Sequence, residues 1–594
     1  MESLPTWRLD DLYADLDDPK IAGDLAAVAA EAEAFGARWE GRIEALDGDG
    51  LAELLGAYSA LLSRMYRPQM FASLSASTDA LDEAVKALSA RVNEQATAIG
   101  NALRFVDVAL ANASPEAHAR WAASPACAGL LHHLQRARAA RPHTLDAAVE
   151  SALATKDLTG RRAWSRLYDE LCAAWRFDFT VEGETQSLNL AALRSLREDP
   201  DRAVRRRASE AILTRFSEHA PTFAYIVNTL YQDHKLETAL RRYTDVAGPT
   251  LLDDELPRAT LDALLTAVEA HYPVAQRFFA AKARALGLPR LESHDLLAPF
   301  PGGDRLVSWA EARAEVLGAF GALDPEIEAD ARAFFDDRRI DARPRPGKRD
   351  GAFCAGMVPG VAPRVLVNFH GRLRDVYTLA HELGHGVHFT LAGKAQRLLN
   401  YWPTSPMAET ASVFGEMVLT RRLLARETDP DVRRQLLAAR IEEALGTIHR
   451  QVAFTRYELN AHLARARANL STDDLSALWS AESERLYGDA VQRGALDRWG
   501  WVGIPHLVHY RFYCYSYAFG QLLVFALYRL WEQEGEAFVP KYKRLLASGG
   551  CDTPASLLAA LGIDITDPSF WARGLDVVTE MVDAFVAEEG AAGE

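Results

Sequence analysis

Apolar residues recur at helical spacing along most of the chain. Runs rich in Ala, Leu, Glu and Arg at 21–45, 73–111, 201–231 and 430–468 carry the period of amphipathic helices and predict a mainly α protein. Two stretches break that pattern. Residues 176–190 alternate around Glu182-Gly183-Glu184 and predict a β-hairpin. Residues 364–369, Arg-Val-Leu-Val-Asn-Phe, follow a segment punctuated by Gly351, Gly356, Pro359, Gly360 and Pro363 and predict a short strand.

The most informative helical stretch surrounds His381-Glu382-Leu383-Gly384-His385. At ~100° per residue, Val376, Ala380, Leu383, Val387 and Leu391 share one stripe, with His381 and His385 roughly opposite. Gly371 and Gly393 stand as expected breaks at the two ends. An HExxH helix sets two imidazoles one turn apart, within reach of one metal, and a carboxylate beside them, which is the arrangement of a hydrolytic zinc site. A metzincin would need Gly at 388 and His at 391, where this chain has His388 and Leu391. No Asp or Glu lies between His385 and Glu409, so Glu409 is the leading candidate for third ligand. Ser405 and Pro406 read as N-cap and first residue of a second helix that would carry Glu409 in its first turns. Glu416, seven residues on, is either a partner that orients a ligand histidine or a solvated charge. His388 exceeds the ligand count and is read as packed or hydrogen-bonded.

These residues resemble the oligoendopeptidase F branch of the thimet oligopeptidase and neurolysin zinc peptidases. The segment 381–388 is similar to that family's zinc helix, 408–416 to its third-ligand helix, and 504–518 to its histidine and tyrosine segment. The opening Trp7-Arg-Leu-Asp-Asp-Leu-Tyr13 and the closing Asp567-Pro-Ser-Phe-Trp571 resemble its two ends. The resemblance implies a neurolysin-like helical zincin with a deep substrate channel and a small β element beside the zinc helix. It implies one Zn2+ per chain on His381, His385 and Glu409, with Glu382 as general base and His506 and Tyr513 as catalytic donors. The segment also has a reading of its own. If helical, His506, Tyr510, Tyr513 and Tyr517 have spacings that align them on one face able to supply oxyanion donors. For any single tyrosine at that spacing packing is the more usual role, and which one meets an oxyanion stays open. This chain lacks the glycines of the thimet-type loop between Ile504 and Phe519. Arg364, Val365, Leu366 and Val367 are candidates for an edge strand that pairs with substrate backbone, a buried structural strand being equally consistent. Tyr510 and Tyr517 are further substrate-binding candidates.

Composition narrows the setting. The chain has 594 residues and a formal charge of −16, which disfavours nucleic acid and anionic membrane as partners. Five scattered cysteines without CxxC pairing suit a reduced compartment, and residues 519–530, the most apolar run, are too short to span a bilayer. With no secretory pattern at the start, a cytoplasmic location is expected. The hairpin is expected to mark the passage from an N-terminal helical lobe, 1–190, to a catalytic zinc peptidase domain, 191–594. The basic runs 202–207 and 343–349 are read as solvated faces or loops. The expected partners are short peptides; oligomeric state is open, and a monomer is compatible. Three functions compete: a zinc oligoendopeptidase, a zinc carboxypeptidase on a related helical scaffold, and a non-enzymatic peptide-binding relative. The intact His381, Glu382, His385 and Glu409 set argues against the third.

Overall fold

The chain is seen in a computed structural model that describes residues 4–592 other than 182 and 301–305. It is mainly helical, as the apolar period predicts, with only short strands among the described residues. The expected helical runs are subdivided where turn chemistry intervenes. Residues 73–111 fall into three helices, ending in Thr78, Leu103 and Asn112, because Asp82 turns back to cap the Ala84 and Val85 amides. The run 430–468 is two α-helices, Pro430–Ala444 and Arg450–Arg465, joined by a π-helical turn at Leu445–His449. The expected hairpin forms from Phe177–Val181 and Glu184–Leu188, paired antiparallel.

Two compact units divide the chain, each assembled from three segments. One comprises Met1–Arg141, Asp304–Arg426 and Leu527–Ile563; the other comprises Pro142–Gly303, Glu427–Ala526 and Asp564–Glu594. The boundary expected at 190 falls inside the second unit. Helices associate through matching apolar faces, whatever their order in the chain, and periodicity alone does not reveal which faces match. The first unit buries Leu51, Leu54, Val92 and Trp121 in its core, and the second buries Leu193, Phe223, Ile226, Tyr457 and Trp501.

A three-stranded sheet lies in the first unit, ordered Ile340–Asp341, Arg364–Leu366, Phe353–Ala355. This corrects the reading of Arg364, Val365, Leu366 and Val367 as a substrate-facing edge. The strand is central: Val365 and Val367 donate to the Arg339 and Asp341 carbonyls on one side, and Phe353–Ala355 pairs on the other. Arg364 is buried and held by Asp11, at 2.6 Å, and by the Arg8 and Ala362 carbonyls. All four residues are buried, so of the two readings the buried structural strand is the one that forms. The edges are Ile340–Asp341 and Phe353–Ala355. Nor are the basic runs simply solvated. Lys348 and Arg345 grip buried Asp341 at 2.8 and 2.7 Å, and Arg202 and Arg205 bind buried Asp295.

The helix Leu373–Ala395 carries His381, Glu382 and His385. Gly371, at φ +83°, sets its entry, and Asp375 accepts the His370 and Arg372 amides there. The exit lies at Gln396, so Gly393 is inside the helix and not its break. Val376, Ala380, Leu383, Val387 and Leu391 are all buried, as their shared stripe requires. A second helix, Ser412–Arg426, crosses this one at two glycines. A Cβ at Gly384 would stand 2.4 Å from the Ala411 carbonyl oxygen and 2.6 Å from Ser412 Cα. One at Gly415 would stand 2.8 Å from the Phe320 ring and 3.1 Å from the Ala380 carbonyl oxygen. Backbone-to-backbone approach of this kind leaves no room for a side chain.

Gly384→Ala is therefore expected to force the two helices apart at a cost of about 1–3 kcal/mol. Thermal unfolding should show a lowered transition, and metal analysis a reduced stoichiometry. An unchanged transition with full metal content would refute this account of the crossing.

Candidate metal centre

The crossing brings together residues that the chain separates by a whole loop. Glu409 ends the four-residue helix Ser405–Ala408, whose N-cap position is Thr404, and regular helix resumes only at Ser412. The expectation that Ser405 caps a continuous second helix carrying Glu409 is thus corrected. Two turns meet here, and Glu409 sits in the bend between them. The bend is braced by the Ser412 hydroxyl, which donates to Glu409 Oε2 at 2.7 Å, and by the Tyr542 hydroxyl, which donates to the Thr410 carbonyl at 3.1 Å. From this position Glu409 Oε2 lies 3.3 Å from His381 Nε2 and 3.5 Å from His385 Nε2. One ligand atom from each of the three residues falls within 4.8 Å of the others.

Two imidazole nitrogens and one carboxylate oxygen, converging and half-buried, match the donor set of a catalytic metal site that keeps a position open. Glu416, on the crossing helix, accepts a hydrogen bond from His381 Nδ1 at 2.6 Å, leaving Nε2 directed at Glu409. The Ala408 backbone hydrogen-bonds the rings of His385 and His388. His388 is buried and does not join the ligand cluster. The Cys354 backbone on the sheet edge faces Glu382 and slightly favours its charged form, while Glu382 Oε2 is buried without a partner among the described residues. That orphaned oxygen lies on a residue flanked by both ligand histidines, which is where an attacking water would need an acceptor. Spacing gives no sign of the Cys354 contact, because it is made by backbone from a remote strand. Gly384 and Gly415 were visible in the sequence, but without the crossing partner their role was not.

The electrostatics follow from burial and crowding. Burial acts to lower the pKa of His381, but the hydrogen bond and charge of Glu416, with Glu409 and Glu382 behind them, outweigh it and raise the value to about 9. Burial raises Glu382 to about 7, with the charges of Glu409 and Glu416 adding to the rise and His381 opposing it. Burial holds His385 and His388 down at about 4. Three carboxylates around two imidazoles make a site that favours a cation, and metal binding requires the ligand histidines neutral and Glu409 ionised.

The histidine and tyrosine segment belongs to the second unit and is not one helix. His506–His509 forms a single turn, Tyr510 leaves it, Phe512 takes a left-handed φ of +54°, and a new helix begins at Cys514. The expected continuous face is therefore absent, yet three of the rings still meet. His506 and Tyr513 stack with centroids 6.2 Å apart, Tyr517 lies edge-on to both, and His506 Nε2 stands 3.3 Å from the Tyr517 hydroxyl. Tyr510 is 65% exposed, with its ring 5.9 Å from that of Tyr513. The turn is pinned where Glu458, fully buried, accepts the Phe512 amide at 2.9 Å.

Comparison with known proteins places this arrangement. The sequence profile of peptidase family M3 matches residues 195–297 and 326–577, and that described as oligopeptidase F matches 110–177. Among curated relatives, an oligoendopeptidase F homolog of Lactococcus lactis is 28% identical over 398 residues, covering 66% of this chain and 65% of the relative. The chain thus spans just under two thirds of that protein's length. Oligopeptidase PepF of Bacillus subtilis is 24% identical over 576 residues, covering 95% of this chain and 84% of its own. Among solved structures, a chain from Chlamydophila abortus superposes with a TM-score of 0.90 at 22% identity over 98% of both chains. Oligoendopeptidase-F from Enterococcus faecium gives 0.69 at 21%, covering 98% of this chain and 99% of its own. At these identities the structures establish a shared fold.

Because Glu416 fixes the tautomer and orientation of His381, Glu416→Gln should weaken metal affinity about 10–100-fold. His381→Ala, His385→Ala and Glu409→Ala should each abolish stoichiometric binding. Competition with a metallochromic chelator measures both; wild-type affinity in Glu416→Gln would remove the orienting role.

Proposed function

Since this chain belongs to peptidase family M3, we propose that it is a zinc-dependent oligoendopeptidase that hydrolyses internal bonds of short, unfolded peptides. The reading rests above all on the convergence of His381, His385 and Glu409 beside Glu382. Zinc suits the donor set; when bound, it supplies a Lewis acid that lowers the pKa of a water to about 7 and polarises a carbonyl. Glu382 then takes the proton of the attacking water on its unpartnered Oε2 and delivers it to the leaving amine.

The sheet edge at Phe353–Ala355, rather than the central strand, is the candidate for pairing with substrate backbone. Its Cys354 backbone faces Glu382, so the strand runs past the general base. Recognition through main-chain hydrogen bonds accepts many side chains, which fits an enzyme for mixed short peptides. His506 and Tyr513 are proposed, on the family pattern, as donors to the developing oxyanion, with Tyr517 as their neighbour.

A pool of short peptides, blocked and unblocked at each end, incubated with zinc-loaded protein and analysed by mass spectrometry, tests the reaction. Doubly blocked peptides should be cut internally. Cleavage confined to peptides with a free C-terminus would identify a carboxypeptidase, and no cleavage at all a peptide-binding protein. Glu382→Gln should lose on the order of 10²–10⁴ in kcat while retaining zinc. Tyr513→Phe should lose about 10²–10³ with metal content unchanged. Full activity in Glu382→Gln would refute the assigned base, and full activity in Tyr513→Phe the assigned donor.

A further inference from the structure

The second unit encloses a cavity of about 800 Å³, within the range of small-molecule sites. Its wall carries an excess of guanidinium groups, among them Arg194, Arg197, Arg450 and Arg493. The carboxylates that reach it are engaged elsewhere. Glu292 is held by Arg202 and Arg206 at 3.0 and 2.8 Å, Glu442 by Lys282, and Asp497 by the Ser293 hydroxyl and the Gly494 amide, each at 2.6 Å. Glu210 is exposed to solvent. Among the described residues, the Arg197 and Arg450 side chains have neither a hydrogen bond nor an ion pair. Arg194 reaches only the Gly503 carbonyl, at 3.4 Å, and Arg493 the Ser480 carbonyl, at 3.0 Å.

Arg194 and Arg450 are exposed and Arg197 is half-buried, so these guanidiniums line the cavity without an anionic side chain bound to them. Burial, and then the like charges of Arg450 and Arg194, hold the Arg197 pKa below its ordinary value, with Tyr487 and Asp497 opposing only in part. The backbone at the wall is also unusual. The π-helical turn at Leu445–His449 interrupts an otherwise α-helical run and sets Leu445, Gly446, His449 and Arg450 on the cavity lining. Turns of this type recur at functional sites. Elsewhere the lining is aromatic, with Phe216, Phe454 and Trp479.

We propose that this cavity binds an organic molecule bearing an oxyanion, a phosphate ester or a carboxylate, with Arg194, Arg197 and Arg450 on the oxyanion and Phe216, Phe454 and Trp479 against its apolar body. The planar guanidinium matches the oxygen pairs of both groups. A bare anion would leave most of the volume to water, so the aromatic wall calls for an organic body. The site stands apart from the peptidase reading: Arg194, Arg197, Arg450, Phe216, Phe454 and Trp479 lie outside the metal cluster and the tyrosine segment, whose first residue, Ile504, is on the cavity lining.

Isothermal titration of the full chain at low salt with inorganic phosphate, phenyl phosphate and benzoate tests the proposal, using wild type, Arg197→Gln and Arg450→Gln. Phenyl phosphate or benzoate should bind at least tenfold more tightly than inorganic phosphate, and whichever binds identifies the head group. Each variant should weaken that binding at least tenfold, while its ligand-free thermal transition stays at that of wild type, because neither guanidinium has a protein partner to lose. Three results would overturn it: no saturable binding of any probe, binding equal in wild type and variants, or ligand-free variants that unfold below wild type, which marks the arginines as structural.

Discussion

The site depends on one steric constraint, the passage of the Ala411–Ser412 backbone over Gly384. With 2.4 Å between a would-be Cβ and the Ala411 carbonyl oxygen, the crossing is set by the absence of a side chain. That closeness puts the bend holding Glu409 on one side of His381 and the helix holding Glu416 on the other, so both histidine nitrogens are used by carboxylates from a single segment. Gly415 repeats the device one helix over, against the Ala380 carbonyl, and makes the contact a seam rather than a point.

The seam also explains the charge distribution. Three carboxylates gathered around two imidazoles in a partly buried place would repel one another without a cation. Burial pushes Glu382 toward neutrality while Glu416 holds His381 toward the charged form, so without a metal the site carries opposing protonation preferences side by side. His381, His385 and Glu409 would hold a divalent cation, whose charge would offset that of Glu409 and relieve the conflict. The second unit shows a different imbalance. At its cavity it is cations that lack partners, and a π-helical turn carries Arg450 there.

Strain is confined to short turns. Phe512 takes a left-handed conformation that a bulky side chain rarely adopts, and the buried Glu458 carboxylate secures it by accepting the Phe512 amide. That turn redirects the chain between His506 and Tyr513 and lets their rings stack despite the broken helix. Glu458 is itself raised to about 8 by burial, with the Phe512 amide and Arg511 opposing, so the hydrogen bond survives where a free carboxylate would be costly.

Local period and a short list of available donors made legible in the chain the helical class, the His381, Glu382 and His385 set and Glu409 as the leading third-ligand candidate, but left Glu416 open between a partner and a solvated charge. Local period also located the hairpin, whose two strands are adjacent in the chain. Which strands edge the sheet, where the second helix begins, that residues 343–349 anchor a buried aspartate, and that His506 and Tyr513 meet without a shared helix came from the fold. Each of these turns on a non-local contact: Arg364 with Asp11, Lys348 with Asp341, Glu382 with the Cys354 backbone, Phe512 with Glu458. Apolar periodicity records which face of an element is buried, but not what buries it. The partner is chosen by shape and by hydrogen-bond geometry across the fold, where Gly384 and a backbone amide count for as much as any side chain.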